Sequence, residues 1–392
     1  MSILPQIGHL LALLLATHRA RPRDSLLVAA GFVITAATLA VMLAVPAGID
    51  RIAQQTGQED IVLAISGGAS DEVGSSLSSE QVALISALPQ VAHSADARPL
   101  AAPQFLANTK LTQSDGQRST VLVRGVTAET WAVLDPARLH VDVQPQEGLR
   151  QLSVSRMLAR QFPELGQPRI ALQGGDWQVV GHLDANGNLW ESELWTDLAA
   201  LQAAYNRPGR VSSVWLKLDS PEQMPALEQA VRSDPRLQDV RVVRQIDYYQ
   251  QQVGFVSRFV RIAAAGISVL MGAGAVLAIS TTLGMALDKR RREMATLRAL
   301  GFNNLAVGGA TLLDVLMVGV LATLGTVLLV RFLLDGASFG TSSVNQAVYA
   351  HFVIDASVIG IVLAYSLLLG LVSSVLPLRR IMKGKLVDAL KD

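Results

Sequence analysis

The run Ser25–Val45 (SLLVAAGFVITAATLAVMLAV) carries no charged residue, and this limits what the chain can fold into more than any other feature. About 20 apolar residues of helix cross the roughly 30 Å hydrocarbon core of a bilayer, where backbone polar groups must bond within their own segment. Three further runs meet that requirement: Ile262–Leu287, rich in Gly, Ala, Ser and Thr, then Ala306–Leu334, then Val353–Leu376, closing at Pro377. The expectation is a membrane protein with four transmembrane helices. The first run exceeds the apolar core of a signal peptide, so it is read as an uncleaved span.

Composition narrows the class. Apolar residues make up 50% and charged residues 17%, which is too apolar and too sparsely charged for a soluble enzyme of 392 residues. A formal charge of +1 gives no sign of a nucleic-acid partner. With no cysteine, disulfides, thiolate metal sites and cysteine nucleophiles are excluded.

Lys and Arg in short flanks set orientation. Arg19, Arg21 and Arg23 precede the first span, Lys289–Arg292 and Arg298 lie between spans two and three, and Arg379, Arg380, Lys383, Lys385 and Lys391 follow span four. The loop Asp335–His351 has neither Lys nor Arg. Both termini are therefore expected inside, in the inner (cytoplasmic) membrane of a cell. The organisation reads as a cytoplasmic segment 1–24, span one at 25–47, an extracytoplasmic domain at 48–254, a stalk and span two at 255–287, and a cytoplasmic loop at 288–305. Span three follows at 306–334, an external loop at 335–352, span four at 353–377 and a cytoplasmic tail at 378–392. The outer stretch holds 17 Lys and Arg against 24 Asp and Glu, a formal charge of −7, and long domains cross largely regardless of charge.

The outer domain reads as α+β. Ile61–Ser66 is a strand-like run, and Ser78-Ser79-Glu80-Gln81 matches a capping box opening a helix stopped by Pro89. Near the end the pattern recurs: Ser213–Leu218 alternates as a strand, Ser220-Pro221-Glu222-Gln223 opens a helix, and Val240–Val243 starts another strand. Two such halves predict a split, porter-like subdomain enclosing a β-rich insert at about 100–205. Within the insert lie the short runs Val121–Val123, Leu152–Val154, Ile170–Leu172 and Trp177–Gly181, with a hairpin turn at Gln173–Asp176.

Chemistry is sparse. No GxxxxGK[ST] phosphate loop occurs, so ATP binding of that kind is excluded. Asp184-Ala185-Asn186-Gly187-Asn188 departs from a calcium loop at its sixth and twelfth positions, Leu189 and Trp195, and reads as a polar turn. No catalytic residue, metal ligand or cofactor site is expected. Small residues recur every fourth position in span two at Ala264, Ser268 and Gly272, and again at Ala278, Thr282 and Ala286. That spacing lets helix backbones approach closely, either within the chain or across a dimer. Asp314 is the only charge well inside span three. It reads as a structural hydrogen-bonding group near the cytoplasmic side, with an ion pathway as the alternative.

Between spans two and three, Met294, Leu297, Ala299 and Leu300 gather on one side of a short helix ahead of Gly301. The segment RRREMATLRALGF resembles the R-x-x-E-(I/M)-(A/G)-x-L-(R/K)-A-(L/I)-G stretch of the FtsX/MacB family of ABC transporter permeases, also called type VII or mechanotransmission transporters. Arg290, Glu293, Leu297, Arg298, Ala299, Leu300 and Gly301 fit it. The tail, from Pro377-Leu378-Arg379 to Leu386-Val387-Asp388-Ala389-Leu390, is similar to the family's ending, without its usual second proline near Lys385. The resemblance implies that those seven residues couple to a separate ATPase subunit and that spans one and two face a second permease subunit. It further implies a periplasmic adaptor and an outer-membrane channel as partners, besides membrane lipids. It leaves open export of a peptide, lipopeptide or drug, extraction of lipoproteins or lipids, and a relay that activates a cell-wall hydrolase. A plain membrane-anchored receptor is disfavoured by the loop and tail. Before span two, Tyr248–Phe259 is too polar for lipid and reads as a helical stalk.

Overall fold

The computed structural model describes residues 22–289, 303–334, 337–342 and 347–383, which form two compact units. One gathers the apolar helices and the other the sheets.

The helical unit is built from most of α1 (Pro22–Gln55) and α7 (Gln245–Lys289), with α8 (Asn304–Leu334) and α9 (Ala356–Lys383), while residues 49–55 of α1 and 245–255 of α7 belong to the sheet unit. All four are long and apolar enough to cross a membrane. Their outward faces carry Leu270, Leu277, Leu328 and Phe332, as expected where lipid is the solvent and offers no hydrophobic drive for helices to associate. What joins them instead is fit. A Cβ added at Gly319 of α8 would lie 2.9 Å from the Phe32 ring of α1, and one at Gly370 of α9 would lie 3.6 Å from it. The two glycines therefore form a socket that leaves Phe32 1% exposed. Polar links add direction: Thr323 and Ser366 hydroxyls meet at 2.6 Å between α8 and α9.

Sequence reading and structure differ at the last helix. It begins after Asp355, whose Oδ1 accepts from the Val358 amide at 2.9 Å and the Ser357 hydroxyl at 2.7 Å. It then continues through Pro377 to Lys383 instead of closing there. Proline removes one i→i−4 bond, but membrane helices tolerate that where the turns on either side stay bonded.

The second unit holds one sheet of ten strands. They are β1 (Ile61–Ser66), β2 (Ala101–Thr112), β3 (Arg118–Val126), β4 (His140–Val141), β5 (Gln151–Ser155), β6 (Arg169–Leu172), β7 (Gly175–Asp184), β8 (Glu193–Asp197), β9 (Ser213–Lys217) and β10 (Val240–Arg244). The strand path is β10-β1-β9-β2-β3-β8-β5-β7-β4, with β6 beside β7. β2 joins the two ends of this path: Ala101–Gln104 pair with β9, and Phe105–Thr112 pair with β3. Each end has its own core. Val62, Ala64, Val214, Leu216 and Leu227 centre one, against α2 (Ser79–Ser86) and α6 (Met224–Ser233). Val121, Val123, Leu152, Val154 and Trp177 centre the other, against α4 (Arg156–Gln161) and α5 (Leu198–Ala204). The fold is thus four apolar helices with an α+β domain between the first and second, as the sequence indicated.

The capping box at Ser78 and Gln81 is present, and the turn at Gln173–Asp176 joins β6 to β7 with Gly174 and Gly175 at φ +83° and +126°. Several elements escaped the sequence reading: the strands β2, β4 and β8, the helices α3 (Ala128–Val133), α4 and α5, and the pair β11 (Ser338–Ser342) and β12 (Ala347–His351) within the expected external loop.

Candidate functional site

Register alone assembles a polar site on one face of the sheet. Residues directly opposite one another share a face, and faces alternate along each strand. Arg124 of β3 lies opposite Leu106 of β2 and Trp195 of β8, so Gln104, Arg124, Glu193 and Trp195 share one side. Gln104 in turn pairs with Ser213, and Ala102 with Trp215. The apolar core residues Val121, Val123, Val214 and Leu216 occupy the opposite side.

At the centre of that face Arg124 is fully buried and grips two carboxylates. Its Nε and Nη2 donate to Glu193 at 2.6 and 2.8 Å, while Nη1 and Nη2 donate to Glu72 at 3.1 and 3.2 Å. Nη1 also donates to Gln104 Oε1, and the Ser213 hydroxyl donates to Glu72. The guanidinium sits 5.0 Å from the Trp215 ring centre and 5.9 Å from that of Trp195. A desolvated cation over an aromatic face gains about 2 kcal/mol. Trp190 completes the wall, 5.5 Å from Trp215 and 6.3 Å from Trp195.

The first turns of α7 close the site. Tyr249 Oη accepts from Trp190 Nε1 at 3.1 Å and lies 3.5 Å from Arg124 Nη2. Tyr248 Oη accepts the backbone N–H of Glu72 at 2.9 Å. Burial opposes the charge on Arg124, yet Glu193 and Glu72 beside it hold the guanidinium protonated well above its usual range. Burial pushes the Glu193 carboxyl up, against the pull of Arg124, and pushes both tyrosines well up, so they stay neutral.

A second set of contacts fastens the end of α1 to the same helix root. Gln58 donates its backbone N–H to Gln245 Oε1 at 3.0 Å, and Leu189 donates its own to Thr56 Oγ1 at 2.9 Å. Arg138 donates to the Gly57 carbonyl at 2.8 Å. Gly57 is required there: its φ is +87°, and a Cβ would meet the backbone of Gln245 and Ile246 at 2.9 Å.

Sequence reasoning missed Glu72, Arg124 and Glu193. Arg124 had left a signal, a lone cation inside the apolar run Val121–Val126. The residues singled out from the sequence fall elsewhere. Arg290, Glu293, Leu297, Arg298, Ala299, Leu300 and Gly301 lie outside the described residues. Ala264 is buried, the Ser268 carbonyl accepts the Tyr365 hydroxyl of α9 at 2.6 Å, and Gly272 lies against Tyr365 and Leu369. At Ser268 and Gly272 the backbone of α7 is therefore met by side chains of the chain's own last helix, Tyr365 and Leu369. Ala278 is exposed, Thr282 half-buried, and Asp314 half-buried in α8. Among the described residues no group of His, Cys, Asp or Glu forms a metal site. Gly272→Leu is expected to displace Tyr365, since even a Cβ there would lie 2.5 Å from its hydroxyl. The check is a lower midpoint of thermal unfolding in detergent, with Gly274→Leu, where nothing lies within 4 Å, close to wild type.

Comparison with known proteins then defines the class. The MacB-like periplasmic core domain matches residues 25–234, and the FtsX-like permease C-terminal domain matches residues 265–386. The chain belongs to the FtsX/MacB family of ABC transporter permeases. Among solved structures it is similar to the extracellular domain of the noncanonic ABC-type transporter YknZ from Gram-positive bacteria, at 13% identity over 47% of this chain and 100% of that one, TM-score 0.35. It is also similar to the periplasmic region of MacB from Actinobacillus actinomycetemcomitans, at 11% identity over 51% and 94%, TM-score 0.36. No curated protein matches the chain.

Proposed function

We propose that the chain is the permease subunit of an ABC transporter, coupling ATP hydrolysis on a separate ATPase subunit to movement of its outer domain. The coupled work is export of a peptide, lipopeptide or drug-like substrate, together with a periplasmic adaptor and an outer-membrane channel. In this reading the chain lies in the inner membrane with both termini cytoplasmic and residues 48–254 outside. Arg290, Glu293, Leu297, Arg298, Ala299, Leu300 and Gly301 meet the ATPase. A second permease subunit packs beside span two, where Ala278 and Thr282 are the open small residues, and Asp314 serves as a structural hydrogen-bonding group.

One observation carries the coupling: α7 is a single helix from Gln245 to Lys289, including Gly254. Gly254 costs up to about 1 kcal/mol relative to Ala in a helix interior, yet the helix passes through it. A helix transmits displacement along its axis, whereas a loose linker would dissipate it. The test is a flexible Gly-Ser insertion after Gln252 in the assembled transporter. ATP hydrolysis should persist while export, followed as resistance to membrane-active peptides and drugs, collapses. Unchanged export would overturn the reading.

A further inference from the structure

Charge bookkeeping around Arg124 leaves a remainder. Two carboxylates, Glu72 and Glu193, share one guanidinium, and all three side chains are at most 5% exposed. If both carboxylates were ionised, the group would hold a net charge of −1 away from water, which is costly even for a well-bonded cluster. The other contacts, the Ser213 hydroxyl on Glu72 and the Trp195 side chain on Glu193 among them, supply no second positive charge. Gln104 and Ser213 are neutral, Tyr248 and Tyr249 bring only phenols, and Asp71 acts on Tyr248 with a further negative charge.

We propose that the Arg124 cluster is a one-proton clamp on the root of α7: with one proton held on the Glu193 carboxyl it is charge-balanced and holds Tyr248 and Tyr249, and loss of that proton to solvent loosens them. Charge balance asks for one proton among the three side chains, and the Arg124 guanidinium holds its own in addition. Burial acts in the direction the clamp needs, raising Glu193. The sign follows. A carboxyl such as Glu193, raised in the folded state above the unfolded glutamate value of about 4.3, contributes stability that is full below that value and lost as pH rises through the folded titration. The clamp is tight in acid and weakens toward alkaline pH. Its meaning as a brake on α7 rests on the permease reading above, but the proton link is measurable on this chain alone.

The experiment is amide hydrogen exchange of the full chain in detergent across a pH series, read over residues 245–253 after correction for the intrinsic exchange rate. In the wild type, protection should fall by up to about tenfold per pH unit above the titration of Glu193, as one-proton linkage requires. Glu193→Gln and Glu72→Gln each remove the excess charge, so each should keep acid-level protection at every pH. The double variant strands Arg124 and should be unprotected throughout. The clamp is overturned if wild-type protection does not change with pH or if either single variant follows the wild-type profile. It is also overturned if a single variant fails to fold or is as unprotected in acid as the double, since that is the behaviour of an ordinary ion pair needing both charges. Failure of these outcomes leaves the Gly-Ser insertion result untouched, so the two readings fall separately.

Discussion

Arg124→Met is expected to destabilise the sheet unit by on the order of 3–5 kcal/mol, the range seen when one partner of a buried ion pair is removed. Methionine nearly fills the space, so the loss comes from charge and not from a cavity. Glu72 and Glu193 would remain buried with their shared cation gone, and Gln104 would lose its donor. The midpoint of chemical unfolding of the purified chain checks this, and the loss should grow as pH rises. A compensated variant is the control. Replacing Arg124, Glu72 and Glu193 together by apolar residues of similar volume should recover most of the stability, because well-packed apolar groups commonly match or exceed a buried ion cluster. If the triple variant is no better than Arg124→Met, side-chain fit outweighs charge here.

Gly57→Val should have an effect of similar size for a different reason. A β-branched residue at φ +87° is strained by about 1–3 kcal/mol. Its Cβ would also press on the Gln245 carbonyl carbon and the Ile246 nitrogen at 2.9 Å, which are backbone atoms unable to swing aside. Overpacking of that kind adds roughly 1–3 kcal/mol. The turn would open and release Gln58 from Gln245, so residues 245–253 should exchange faster even where Arg124 and its carboxylates are intact. Gly116→Val, at φ +84° with nothing within 4 Å, isolates the conformational part and should cost less.

These sites mark where sequence reading runs out. Span positions, and with them the place of an α+β domain between the first and second spans, follow from hydropathy, and the Ser78 cap and the Gln173–Asp176 turn from local spacing, since each depends on neighbours within a few residues. The Arg124 site depends on register. Arg124 meets Glu72, Glu193 and Tyr249 across 52, 69 and 125 residues, and a one-residue slip in β3 would put it on the other face. Glu72 sits in a polar stretch that reads like any exposed turn. β2 was hidden by Pro103, Asn108 and Lys110, which weaken its alternation, yet Pro103 is accommodated opposite Val214. The small residues of span two were legible as a row that leaves room for a neighbour. Which helix they meet was not, because spacing alone does not distinguish an internal partner from an external one.

All five tryptophans, Trp131, Trp177, Trp190, Trp195 and Trp215, belong to the sheet unit, and the helical unit has none. Trp131, Trp190, Trp195 and Trp215 form a chain of ring contacts beside Arg124, with centroids 5.5 to 6.3 Å apart. Intrinsic fluorescence of the unlabelled protein is therefore a local signal. Embedded in a bilayer, with no tryptophan in its helical unit, the permease carries its own tryptophan reporter in the sheet unit. With excitation selective for tryptophan, any change in this chain's own emission originates around this guanidinium and its aromatic neighbours or at Trp177.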